Sequence, residues 1–128
     1  MCIRDSSIAR QAVAANYDKA FAEIAQLQTP VRATNADHVF HQYTLLVKDG
    51  RRDALIAHLK NHDIPCGVYY PIPLYKQEAF KQYAAENFEL PVTEMLCQSV
   101  ISLPIHTEMA KDTQTFIIQT VQEFFINN

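Results

Sequence analysis

The chain has 128 residues, enough for one domain with a buried core, and 48% hydrophobic against 20% charged residues is an ordinary globular balance. With 14 acidic and 11 basic residues the net charge is −3, which argues against a nucleic-acid surface. No apolar run reaches the ~18 residues of a membrane helix, no basic-then-apolar leader marks secretion, and an odd set of widely spaced cysteines (Cys2, Cys66, Cys97) fits reduced thiols in the cytoplasm better than a disulfide framework.

Residues 1–6, Met1-Cys2-Ile3-Arg4-Asp5-Ser6, differ in character from the rest of the chain. They read as a non-native leader resembling translated adapter DNA, with a frayed natural terminus as the alternative, so the domain is taken as 7–128. Residues 8–27 are predicted to form an amphipathic helix. Val13, Tyr17, Phe21 and Ile24 recur at three and four with Ala20 between them, Ser6 or Ser7 is the candidate cap, and Thr29-Pro30 the stop. Residues 31–37 read as a polar connector.

Residues 38–48 read as a strand. Alternation puts Val39, His41, Tyr43, Leu45 and Val47 on one face and Phe40, Gln42, Thr44 and Leu46 on the other. Both faces are apolar enough for an internal position. Asp49-Gly50 signals a turn, 52–62 a helix burying Leu55, Ile56 and Leu59, and 64–70 the next strand. That order suggests an α/β domain: a small sheet with helices on one face. It permits a parallel crossover without requiring one.

Residues 76–88 read as a short helix and loop. Pro91 suits the first position of a helix reaching about Val100, with Met95, Leu96 and Val100 turned inward. Residues 101–104 read as a short strand stopped by Pro104. The last helix is expected over 112–126, with Ile117, Ile118, Val121, Phe124 and Phe125 as its apolar stripe. Two glycines in the whole chain leave no glycine-rich phosphate loop.

Several constellations admit chemistry but have plainer explanations. His58 and His62 stand one helical turn apart, as two imidazoles on a metal would, yet no H-E-x-x-H pattern or third ligand accompanies them, so a solvated helix face is the better reading. His38 and His41 point to opposite faces of a strand. Cys66 fits a small apolar residue entering a strand better than a nucleophile. Arg51 and Arg52 could meet an anion, but a solvated turn is favoured.

The stretch Gly67-Val68-Tyr69-Tyr70-Pro71-Ile72-Pro73-Leu74-Tyr75 is less ordinary. Pro71 and Pro73 each fix φ and remove a donor, and each pushes its predecessor toward an extended conformation. The chain must therefore leave the sheet as a stiff loop edged with tyrosines. That arrangement suits a binding edge, and equally a proline-ended strand with its aromatics in the core.

This stretch, continued through Lys76-Gln77-Glu78-Ala79-Phe80, resembles the Y-P-x-P-L-[HY]-x-Q-x-A-[FY] segment of the DegT/DnrJ nucleotide-sugar aminotransferases. His38-Val39-Phe40-His41-Gln42-Tyr43-Thr44 resembles their H-V-[FY]-H-Q-Y-T strand, and Arg52-Asp53-Ala54-Leu55 their R-D-x-L helix opening. Leu90-Pro91-Val92-Thr93-Glu94 and Ser102-Leu103-Pro104-Ile105-His106-Thr107-Glu108 resemble their [LF]-P-V-T-E and S-L-P-[MI]-H-x-E pair. The pieces fall in the family's order over residues 8–126.

The resemblance implies the C-terminal small domain of a fold type I, aspartate-aminotransferase-type enzyme that uses pyridoxal 5'-phosphate. The full enzyme would transfer an amino group, from glutamate, to a nucleotide-linked keto-sugar, working as a cytoplasmic homodimer in polysaccharide biosynthesis. Lys19, Lys48, Lys60, Lys76, Lys81 and Lys111 match no Schiff-base segment. That lysine and the cofactor's other partners would lie in a large catalytic domain upstream. This chain alone is therefore expected to hold no cofactor and to be inactive. The family's substrate-edge motif falls on Tyr69, Tyr70 and Pro71, with Tyr75 and His41, on further matched positions, as additional substrate-binding candidates. Tyr69 departs from the His of many members, which puts a proton-transfer role there in doubt. A free-standing α/β binding or regulatory module is the alternative.

Overall fold

The computed structural model describes residues 3–83 and 88–127. Helix α1 spans Ile3–Phe21, β1 Leu27–Gln28, β2 Tyr43–Val47 and α2 Arg52–Asn61. Two 3₁₀ turns follow, Leu74–Lys76 and Glu78–Tyr83, then α3 (Pro91–Ser99), β3 (Val100–Leu103) and α4 (Lys111–Ile126). None of the described helices is long and apolar enough to cross a membrane.

The sheet is antiparallel throughout, in the order β1-β2-β3. The expected internal strand is the central one. Its register, Tyr43↔Leu103 and Leu45↔Ile101 on one side of the sheet and Thr44↔Ser102 and Leu46↔Val100 on the other, sorts the side chains by face. Tyr43, Leu45, Val47, Ile101 and Leu103 are buried beneath Val13, Tyr17 and Phe21 of α1, Leu55 and Leu59 of α2, and Ile117, Val121 and Phe124 of α4. Helices on one face describes these three elements. It does not describe α3, whose Thr93, Leu96 and Cys97 share a cavity with Thr44 and Val100 on the opposite face.

Several elements differ from the expected ones. Helix α1 begins before Ser6 and Ser7, so neither caps it, and it ends at Phe21. The chain then turns through Ile24 N–H to Phe21 O and Leu27 N–H to Ile24 O, and Leu27 pairs with Val47 in the sheet. Strand β2 is shorter than 38–48 because Phe40 adopts φ 48°, in the left-handed region. That twist inverts the alternation: Phe40 is buried with Tyr43 while Val39 is 56% exposed. Phe40 is held by His38, whose ring stacks on it at 4.0 Å and whose Nδ1 accepts its N–H. Residues 64–70 form no strand, only a single antiparallel bridge from Gly67 to Ser102. No parallel crossover therefore arises among the described residues. Met95 and Leu96, expected inside, are 44% and 38% exposed.

Polar ties fix the core's geometry. The Tyr17 and Tyr43 rings meet at 4.9 Å. The Tyr17 hydroxyl donates to Pro104 O at 2.9 Å, and that of Tyr43 to Asp18 at 2.8 Å, so each buried phenol has a partner. Burial pushes both phenols well above their ordinary pKa. Gln114 of α4 donates to Val13 O and accepts from Asn16, locking α4 to α1.

Candidate functional site

Gly67 N–H donates to Ser102 O at 3.1 Å and accepts at its own O from Ser102 N–H at 2.7 Å. Beyond that bridge the chain lifts off the sheet, and Pro71 and Pro73 offer no N–H to resume pairing. Strand alternation would have sent Tyr69 and Tyr70 to opposite faces; without a strand it does not apply. The Tyr69–Tyr70 peptide is cis, and the two rings meet edge to face at 5.8 Å. Both are open to solvent, at 50% and 70% exposure.

Tyr69 and Tyr70 line one cavity of about 450 Å³, whose far wall is Thr44, Leu96 and Val100. Tyr69 also lines a second cavity, of about 370 Å³, with His41, Gln42, Cys66 and Ser102. The structure thus brings together Tyr69 with Tyr70 on one side and Tyr69 with His41 on the other. Pro71 is exposed on the loop itself.

Tyr75 is placed elsewhere. Its hydroxyl donates to Glu94 and accepts the N–H of Leu90, and its ring meets Phe88 edge to face. Lys76 completes the knot, pairing with Glu94 at 2.8 Å. Lys76, and next Tyr75, hold the Glu94 carboxyl below its ordinary pKa, and Glu94 in turn raises that of Lys76. Tyr75 ties the loop to the start of α3.

The remaining candidates are structural. His58 contacts Thr120 O at 3.1 Å across α2 and α4, so it joins two helices rather than facing solvent, and no group of three or more potential metal ligands occurs among the described residues. Arg51 pairs with Asp49 and lies over the Phe124 and Phe125 rings. Arg52, expected in a solvated turn, is buried and donates to Cys97 O at 3.1 Å and Val100 O at 3.0 Å. It clamps the end of α3 that walls the cavity. No motif announces this, since the partners lie far along the chain. Partial burial raises the Cys66 thiol pKa, the opposite of what a nucleophile needs.

Pyridoxal phosphate needs a lysine, a carboxylate at its ring nitrogen and donors for its phosphate. Among the described residues, neither cavity at Tyr69 is lined by a lysine, an arginine or a carboxylate. Lys76 and Lys81 are engaged with Glu94 and Glu78. These residues do not fit the cofactor. What the site offers is aromatic faces, hydroxyls and apolar walls, which suit binding a ligand's edge.

The family described as DegT/DnrJ/EryC1/StrS aminotransferase family matches residues 3–122. The chain is 35% identical to a pleiotropic regulatory protein of Geobacillus stearothermophilus, over 76% of this chain and 26% of that protein. It is 40% identical to the UDP-2-acetamido-2-deoxy-3-oxo-D-glucuronate aminotransferase of Pseudomonas aeruginosa, over 76% of this chain and 25% of the relative. The structure of DesV from S. venezuelae in complex with a ketimine intermediate superposes with a TM-score of 0.87 at 30% identity, covering 93% of this chain and 32% of that one. The chain thus spans about a quarter to a third of the length of the proteins it matches.

Proposed function

The chain belongs to the DegT/DnrJ/EryC1/StrS aminotransferase family, and from that premise we propose that it is the C-terminal small domain of a pyridoxal-phosphate enzyme that aminates a nucleotide-linked keto-sugar, with glutamate as donor. The fold type I assignment, with residues 1–6 as a leader and 7–128 as the domain, belongs to the same reading. So do a large domain supplying the Schiff-base lysine, a cytoplasmic homodimer and a role in polysaccharide biosynthesis. Tyr69, Tyr70 and Pro71 form the edge that meets the sugar nucleotide, His41 borders it, and Tyr75 supports it from behind.

The observation that carries this reading is the exposed tyrosine pair on a cavity that, among the described residues, has no lysine or carboxylate. Such a site binds but has no group to form a Schiff base. Ile72 and Leu74, which line that cavity, are exposed, as are Leu90, Val92 and Met95 at and within α3. A self-sufficient binding or regulatory module would be expected to cover such a surface, whereas a domain that docks on another need not.

The test is to read the coding sequence upstream of the Ser7 codon and express the product in frame. The expected protein retains pyridoxal phosphate and aminates a nucleotide-linked keto-sugar from glutamate, and Tyr70→Ala raises KM for the sugar about tenfold. An upstream frame with no Schiff-base lysine, or a cofactor adduct trapped by borohydride on one specific lysine of this chain alone, would sink the reading.

A further inference from the structure

Gly67 is one of only two glycines in the chain. Its use is not conformational, since the left-handed backbone that favours glycine is found at Gly50, with φ 77°. What singles out Gly67 is the space above it. A Cβ there would lie 2.7 Å from Cζ and Oη and 2.8 Å from Cε2 of Tyr69, inside van der Waals contact. The two hydrogen bonds with Ser102 hold residue 67 in place, and Ser102 is buried. The backbone cannot easily yield. The Tyr69 ring, at the far end of a side chain, can.

That ring is the element shared by the two cavities. On one side lie His41, Gln42 and Ser102 beside the apolar Leu103 and Ile105; on the other, Tyr70, Leu96 and Val100 with Thr44. We propose that Gly67 is a positioning and specificity-determining residue: by carrying no side chain it seats the Tyr69 ring as a partition between a compartment of mixed polarity and a more apolar one. A ligand reaching both would meet hydrogen-bonding groups beside apolar ones on one side of the ring and mainly apolar walls on the other. The role at the sugar nucleotide rests on the proposed function; the placement of the ring does not.

The test separates the two. Gly67→Ala and Tyr69→Ala are made singly and together. In the 128-residue chain, nuclear Overhauser contacts between residue 67 and the Tyr69 ring are expected in the wild type. In Gly67→Ala they should be lost, while the amides of residues 67 and 102 keep their exchange protection. A ring that stays in place, or a bridge that opens instead, overturns the positioning role. In the full-length enzyme, Gly67→Ala is expected to raise KM for the keto-sugar nucleotide about tenfold, more than it lowers kcat. Adding Tyr69→Ala should then cost nothing further, because the ring is already displaced. Additive losses would overturn the partition. A displaced ring with KM unchanged would overturn Tyr69 as part of the substrate edge while leaving its placement by Gly67 intact.

Discussion

The two faces of the sheet are built on different principles. On the face covered by α1, α2 and α4, each element contributes fully buried apolar side chains, such as Tyr17, Leu55, Leu59 and Val121. On the other, neither the 3₁₀ turns nor α3 buries a single residue. Polar ties hold it instead: the Tyr75–Glu94–Lys76 knot and the Arg52 clamp on the carbonyls of Cys97 and Val100. Burying apolar area drives folding, whereas exposed ion pairs add little to it. The first face therefore supplies the stability and the second holds a binding surface in shape.

Three substitutions probe that division, in falling order of effect. Leu55→Ala removes a fully buried side chain and leaves a cavity beneath α2. It should cost about 2–5 kcal/mol in denaturant unfolding, and a loss under about 1 kcal/mol would mean the helical face is not the main store of stability. Arg52→Ala frees two carbonyls near the cavity wall. A loss of about 1.5–3 kcal/mol is expected, in the range of hydrogen bonds to charged groups, with raised amide exchange in α3 but not in α1. Equal exchange in both helices would show the two faces to be one cooperative unit.

The smallest effect is pH-dependent. Lys76 holds the folded Glu94 carboxyl below its ordinary pKa. Its contribution is thus complete above that ordinary value and disappears as pH falls through the lowered one. Protection of α3 amides, corrected for intrinsic exchange, should fall over that acidic range while α1 holds. Glu94→Gln should abolish the pH response. If the response persists in Glu94→Gln, the knot is not what holds the loop to α3.

How much of this was legible divides along the same line. Helix α2, helix α3 and strand β3 each have a local boundary, Asp49-Gly50, Pro91 and Pro104, and α4 has a long apolar stripe; all four lie close to where the sequence places them. The end of α1 has no such boundary. Ala22, Glu23, Ile24 and Ala25 would continue a helix, and only the long-range pairing of Leu27 with Val47 ends it. The left-handed Phe40 carries no glycine or asparagine to announce it. At the site, the prolines reveal that the loop leaves the sheet, and the family resemblance singles out its tyrosines. Tyr75 reaches Leu90 and Glu94, 15 and 19 residues away, and Arg52 reaches carbonyls 45 and 48 away, distances at which periodicity carries no information.

The single bridge at Gly67 also bears on solubility. An open strand edge is a template on which another chain can add a strand, and apolar side chains nearby make the addition more dangerous. Here one border is β1, two residues long, and beyond β3 the chain pairs at Gly67 alone before two prolines remove the donors that would carry the ladder outward. The domain can leave aromatic and aliphatic side chains in the open because the adjoining backbone gives a foreign strand almost nothing to bond to.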